Sequence, residues 1–169
     1  MYAFKELLEE QRKLDLNIIQ TKKLDNEDRT LKKLAAFTTE LGEMVNELPE
    51  TFKFWANKKN DKQKALVEYV DGIHFILGLA VDLGIEDIRI LNAEVSVYTK
   101  ESFLEQVLYL NTIPNKISTR GPSHQKRWVE ILMAAYIGLG QLIGFEWDEV
   151  VEAYHKKNKI NHDRQDANY

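Results

Sequence analysis

The chain contains no cysteine. That absence removes disulfides, thiolate zinc sites and a cysteine nucleophile together. Proline is scarce, and Pro49, Pro114 and Pro122 are all expected between periodic segments. Apolar–polar alternation is missing, so no strand is expected. The opening "MYAFKELLEEQRKLDL" is charged and periodic, without the apolar core of a signal peptide. The longest apolar stretch, "WVEILMAAYIGLGQLIGF" at 128–145, carries Glu130 and Gln141. A membrane span needs about 20 apolar residues, so this stretch reads as a buried helix, with a subunit interface as a second use. There is no large excess of one charge. A net charge of −4 does not favour DNA or acidic membranes, although local basic clusters can still hold a small anion. No G-x-S-x-G element or zinc-ligand spacing occurs. "GLGQLIG" at 138–144 follows no strand, so its glycines suit close helix packing better than a dinucleotide loop. These exclusions point to a cytoplasmic protein without a membrane or direct nucleic-acid partner.

What is present is helical periodicity. The 169 residues, 44% hydrophobic and 30% charged, suit one folded domain spanning 1–169. Apolar residues recur at helical spacing over 3–20 and 26–48, the second segment ending before Pro49. Asp61 is a fitting N-cap for a third helix running to 83, with Gly84 at its C′ position. Further helices are expected over 85–97, 101–116, 123–143 and 147–165, with loops at 49–60 and 118–123. The fold class is all-α: a single-domain bundle of about six to seven helices.

The third helix carries the sharpest signal, "KALVEYVDGIHFILGLAVDLG". It is apolar nearly all round, as a buried helix is, yet it includes Glu68, Asp71 and His74. Buried carboxylates cost several kcal/mol unless they are paired or metal-bound. Glu68 and Asp71 share a stripe, so they face the interior or a cleft. Both a buried salt bridge and a metal site satisfy that pattern. The second helix offers Glu40, Glu43 and Glu47 on one stripe. Taken alone, that stripe is an ordinary solvated face. Two helices each offering an acidic i, i+3 pair can, however, bring four carboxylates to one point, which would repel without a cation. Hard oxygen ligands suit Mg²⁺ or Mn²⁺. A di-iron bundle would want Glu-x-x-His, whereas His74 follows an aspartate.

Near the end of the chain, Lys157, Asn161 and Arg164 fall on one helical face, extended by Tyr154 and Asn168. Two cations with amide donors suit phosphate oxygens; a solvated basic helix end is the plainer reading. Trp55, in the polar loop "FKFWANKK", either closes a pocket over a planar ligand or caps the core.

Together these residues resemble a known family. Glu40-x-x-Glu43, then 24 residues, then Glu68-x-x-Asp71 resembles the signature of the all-α (MazG-like) nucleoside triphosphate pyrophosphohydrolases. Asp71-x-x-His74, Trp55 between the acidic pairs, Gln11-x-x-Leu14-Asp15 and the Lys157/Asn158/Asn161/Arg164/Gln165/Tyr169 run look like the dimeric (type 2) dUTPases. The resemblance spans about residues 3–169. It implies that Glu40, Glu43, Glu68 and Asp71 bind Mg²⁺, with Mn²⁺ as a substitute. It implies Gln11 and Trp55 at uracil and His74 near the deoxyribose. Lys157, Asn161 and Arg164, with Asn158 and Tyr169, would hold phosphates. Asp15 stands where several members have asparagine, which leaves its part in base reading open. A homodimer is implied as well. So is attack at the β-phosphorus, with dUDP accepted beside dUTP. Glu43, ahead of Glu40, is the expected base for water. The alternative is a MazG-like enzyme of different or broader (d)NTP specificity, such as dCTP. A non-enzymatic helical module with salt-bridged acids is the reading from another class.

Overall fold

The computed structural model describes residues 2–25, 27–90 and 102–167. Six α-helices form within them: α1 (Lys5–Lys22), α2 (Thr30–Asn46), α3 (Lys62–Asp82), α4 (Phe103–Ser118), α5 (Pro122–Ile143) and α6 (Trp147–Asp166). A 3₁₀ turn at Pro49–Thr51 follows α2. The all-α expectation holds. No single helix among the described residues is long and apolar enough to cross a membrane.

Helix α3 is the axis of the bundle. It packs against α1, α2, α5 and α6, most extensively against α2. That role follows from its composition, because Ala65, Tyr69, Val70, Ile73, Ile76, Leu77, Leu79 and Ala80 are all buried. Its ends are set locally. The Asp61 carboxylate accepts from Lys64 N–H at 3.1 Å, as expected of an N-cap. At the other end Gly84 takes φ +64°, and the Ile85 and Gly84 N–H groups close onto the carbonyls of Ala80 and Val81. This is the glycine-dependent stop in which a left-handed residue satisfies the last helical carbonyls.

The helix expected at 85–97 does not begin there. Residues 85–88 form a loop, and Arg89–Ile90 (β2) pairs antiparallel with Tyr2–Ala3 (β1), Tyr2 opposite Ile90. Residues 91–97 lie outside the described residues. Ile85 and Ile88 are both buried, a three-residue spacing that imitates a helix. Two-residue strands are too short to show alternation, so the sequence carries no signal for them. Pro114 is a second correction: it lies inside α4, not between segments. A mid-helix proline costs about 3 kcal/mol. Leu110, Ile113 and Ile117 are each 0% exposed, and full burial contributes about 1.5–3 kcal/mol per side chain, so the helix continues. Helix α2 starts at Thr30, later than its periodicity suggests, where the Asp28 carboxylate accepts Thr30 N–H at 2.9 Å. The apolar stretch at 128–145 is spent inside the protein: Leu132 to Gly140 are buried in α5.

Two tyrosines clasp α3 to α5. The Tyr69 hydroxyl donates to the Tyr136 carbonyl at 3.0 Å, and the Tyr136 hydroxyl donates to the Tyr69 carbonyl at 3.1 Å. The rings stack at 4.5 Å, fully buried. Each hydroxyl lies against a glycine. A Cβ at Gly72 would collide with Tyr136 Oη, and one at Gly140 would stand 2.5 Å from Tyr69 Oη. The expected outcome is that Gly72→Ala destabilises by about 1–3 kcal/mol through overpacking. Gly42, in α2, has open space where a Cβ would go, with nothing within 4 Å, so Gly42→Ala should stabilise by about 0.5–1 kcal/mol. Urea unfolding measures both; equal effects would contradict the clasp.

Candidate active site

Four helices line one cavity of about 360 Å³. Helix α1 contributes Gln11, Leu14, Asp15, Ile18 and Ile19; α2 contributes Lys33 and Glu40; α3 contributes Asp71, His74 and Phe75; α6 contributes Lys157, Asn161, Arg164 and Gln165. Arg29, just before α2, completes the lining. The lining thus holds two charged groups, Glu40, Asp71, Lys157 and Arg164 on one side and Asp15, Lys33 and Arg29 on another, with an apolar wall of Ile18, Ile19 and Phe75.

On the first side Glu40, Glu68 and Asp71 converge. One oxygen from each lies within 4.8 Å of the other two. Core neighbours enforce this: Leu41, Tyr69 and Gly72, adjacent in sequence, are buried where α2, α3 and α5 pack. The Glu40 pKa is pushed up to about 7, first by burial and then by Asp71, Glu43 and Glu68. Burial also raises Glu68, with Asp71, Glu43 and Glu47 adding repulsion. Asp71 is raised by burial, against the pull of Lys157 and Arg164. Lys157 Nζ makes an ion pair with Asp71. That pairing overturns the plainer reading of this part of α6 as merely solvated. It leaves an oxygen cluster still short of positive charge, and this fits a hard divalent cation.

Glu43 is exposed and stands outside the converging set, although its charge acts on all three members. Glu47, whose stripe reads as solvated, is close enough to raise Glu68.

Toward the other side, Gln11 is 4% exposed and His74 is 6% exposed. His74 Nδ1 meets Gln11 Oε1 at 2.8 Å, and its ring stacks on Tyr154 at 4.1 Å. Burial, reinforced by the Lys157 charge, lowers the His74 pKa to about 3, so the ring is neutral. Tyr154 is buried, its one hydroxyl proton shared between Gln11 Oε1 at 3.0 Å and Leu7 O at 3.2 Å; it is not part of the cationic face. Asn158 is buried with its Nδ2 unpartnered and does not line the cavity. Trp55 is 65% exposed beside Phe52 and Phe54, away from the cavity lining. Asn168 and Tyr169 lie outside the described residues.

Sequence reasoning missed Lys33, Arg29 and the apolar wall of Ile18, Ile19 and Phe75. Lys33 had a usable signal, since it precedes Glu40 by seven residues and so shares its helix face.

An all-α bundle with carboxylates on two helices facing cations on a third defines the class: a helical protein with a carboxylate cluster of the kind a hard cation fits. The particular family follows from comparison: the dUTPase family model matches residues 3–169, and the chain belongs to that family of dimeric, all-α enzymes. It is thus a dUTP diphosphatase by family, and dUTPases are generally metal-dependent. Comparison with curated proteins gives no match.

The raised carboxylates give a pH prediction for the metal-free protein. Glu40 has an ordinary pKa of 4.5 and a folded value of about 7, so the folded state binds the proton more tightly. The Glu40 contribution to stability is then fully present below about pH 4.5 and is lost as pH rises through about 7, whereas His74, lowered from 6.5 to about 3, contributes in the opposite sense. The difference between wild type and Glu40→Gln isolates the first: in thermal melts with chelator, wild type minus Glu40→Gln should fall between about pH 4.5 and 7, and a difference that rises with pH would contradict the assignment.

Proposed function

We propose that the protein hydrolyses dUTP, and dUDP, to dUMP in a Mg²⁺-dependent reaction, releasing pyrophosphate or phosphate and limiting uracil in DNA. The observation that carries this reading is one cavity in which carboxylates of α2 and α3 face Lys157, Asn161 and Arg164 of α6, lined also by hydrogen-bonding and apolar groups of α1 and α3. A nucleotide calls for both kinds of lining, one for its phosphates and one for its nucleoside.

Glu40, Glu68 and Asp71, with Glu43 beside them, are the residues that would hold the metal. Mg²⁺, or Mn²⁺, would supply charge neutralisation for the phosphates and polarise the attacked phosphorus. Glu43, free of the converging set, deprotonates and orients the water. The water oxygen bonds to the β-phosphorus, the bond from that phosphorus to the α–β bridging oxygen breaks, and the bridging oxygen leaves with dUMP. The same attack on dUDP releases phosphate. Lys157 exchanges Asp71 for phosphate oxygens, and with Arg164 it stabilises charge on the departing group. Asn161 holds phosphate, and Asn158 and Tyr169 are assigned supporting contacts on the resemblance alone. Gln11 faces the base and His74 the deoxyribose. Trp55 reaches the base through movement of its loop or across a dimer interface. Leu104 and Leu108, 40% and 68% exposed one turn apart on α4, offer apolar surface for a homodimer. The reading places the enzyme in the cytoplasm.

Broader specificity, dCTP included, is the alternative. Asp15 would favour it, because a carboxylate accepts from an exocyclic amino group. Both Asp15 oxygens, however, already accept bonds from Gln11 and Lys33.

Purified protein should release pyrophosphate from dUTP with Mg²⁺ and not with chelator, and should turn over dCTP and dTTP far more slowly. Glu43→Gln should lower kcat by about 10²–10⁴-fold with helicity intact by circular dichroism. Equal turnover of the three pyrimidines would favour the alternative, and near-wild-type Glu43→Gln activity would refute the base.

A further inference from the structure

Polar groups along the cavity form one connected chain, buried at Gln11, Asp15 and His74 and partly exposed at Lys33 and Arg29. Lys33 Nζ donates to Asp15 Oδ2 at 2.6 Å and to the Gly78 carbonyl at 2.9 Å, and lies 2.8 Å from Asp82 Oδ2. All three ammonium protons are thereby used. Asp82 is tied in turn to Arg29 at 2.8 Å. The second Asp15 oxygen accepts from Gln11 Nε2 at 2.7 Å. Gln11 Oε1 meets His74 Nδ1 at 2.8 Å and accepts the Tyr154 hydroxyl at 3.0 Å.

Donor and acceptor chemistry fixes the direction of the bonds from Lys33 through Asp15 and Gln11 to His74. Asp15, the ion-pair partner of Lys33, is an acceptor on both oxygens. Gln11 must therefore turn its NH₂ to Asp15 and its carbonyl to His74. A carbonyl only accepts, so His74 Nδ1 carries the proton. Nε2 keeps its lone pair, and it is buried without a partner. The stack on Tyr154 holds the ring in place.

We propose that Lys33 and Asp15 are positioning residues: acting through Gln11, they lock His74 as the Nδ1–H tautomer, so that Nε2 stands as the acceptor for a hydroxyl or N–H donor of the bound nucleoside. This rests on the nucleotide reading for the identity of the ligand, and on hydrogen bonding alone for the tautomer. It also gives Asp15 a task other than reading the base itself.

Asp15→Asn tests the idea by changing one atom at constant shape. The new carbonyl stays with Lys33, so the new NH₂ faces Gln11. Gln11 then flips, and the Tyr154 hydroxyl reverses its role, since it can donate or accept. His74 Nδ1 now faces a donor, and the proton moves to Nε2. Histidine-labelled ¹⁵N spectra of the full, nucleotide-free chain report the tautomer, with His74 assigned by loss of its signal in His74→Gln. Wild type should show Nδ1–H and Asp15→Asn should show Nε2–H. KM for dUTP should rise about tenfold with kcat within about twofold, as expected when binding alone is weakened. A wild-type Nε2–H tautomer overturns the proposal without any variant. So does Asp15→Asn that keeps Nδ1–H, or one that inverts the tautomer and leaves KM unchanged. A wild-type protein inactive on dUTP would instead overturn the nucleotide reading, and the tautomer result would stand apart from it.

Discussion

Repulsion among three carboxylates is the constraint on which the structure turns. Glu40, Glu68 and Asp71 bring oxygens within 4.8 Å of one another. Two full charges about 5 Å apart at an effective dielectric of about 20 repel by about 3 kcal/mol. No chain would keep such an arrangement for stability alone, since each group would be better solvated on an open face. Helix packing holds it. The apolar surface of α3, buried against four helices, leaves Glu68 and Asp71 no other direction, and the tyrosine clasp fixes α3 beside α5 at the level of those residues. Lys157 relieves part of the strain at Asp71, while Glu40 responds by binding its proton more tightly.

The two sides of the cavity solve opposite problems. Around Glu40, Glu68 and Asp71 the described acids exceed the described cations, an imbalance that a divalent ion would relieve. The other side is nearly saturated. Lys33, Asp15, Gln11, Tyr154 and His74 satisfy one another in sequence, and His74 Nε2 is left over. A saturated, directional network cannot reorient cheaply, which suits discrimination between ligands that differ by single donors or acceptors.

Much of this was legible in the chain. Acids in an otherwise apolar helix announced burial, and the caps at Asp61 and Gly84 follow from local chemistry. The spacing of Glu40, Glu43, Glu68 and Asp71 placed them on two helix faces. What periodicity could not give is which faces meet. The Tyr69–Tyr136 clasp joins residues 67 apart, and Lys33–Asp15 joins residues 18 apart, with no pattern linking either pair. Ile85 and Ile88 imitated a helix because burial every third residue occurs in loops as well. Pro114 defied its usual meaning because three buried neighbours outweigh one lost hydrogen bond. Trp55, expected over the base, sits on a surface loop, where one chain's sequence does not determine what it covers.

The central claim is that α2 and α3 together build a cation site opposite Lys157. Anomalous diffraction from crystals grown with Mn²⁺ tests it most directly. The expected result is a manganese peak bounded by carboxylate oxygens of Glu40, Glu68 and Asp71, with the Lys157–Asp71 ion pair opened. Manganese bound elsewhere, with that ion pair intact and the three carboxylates uncoordinated, would contradict it.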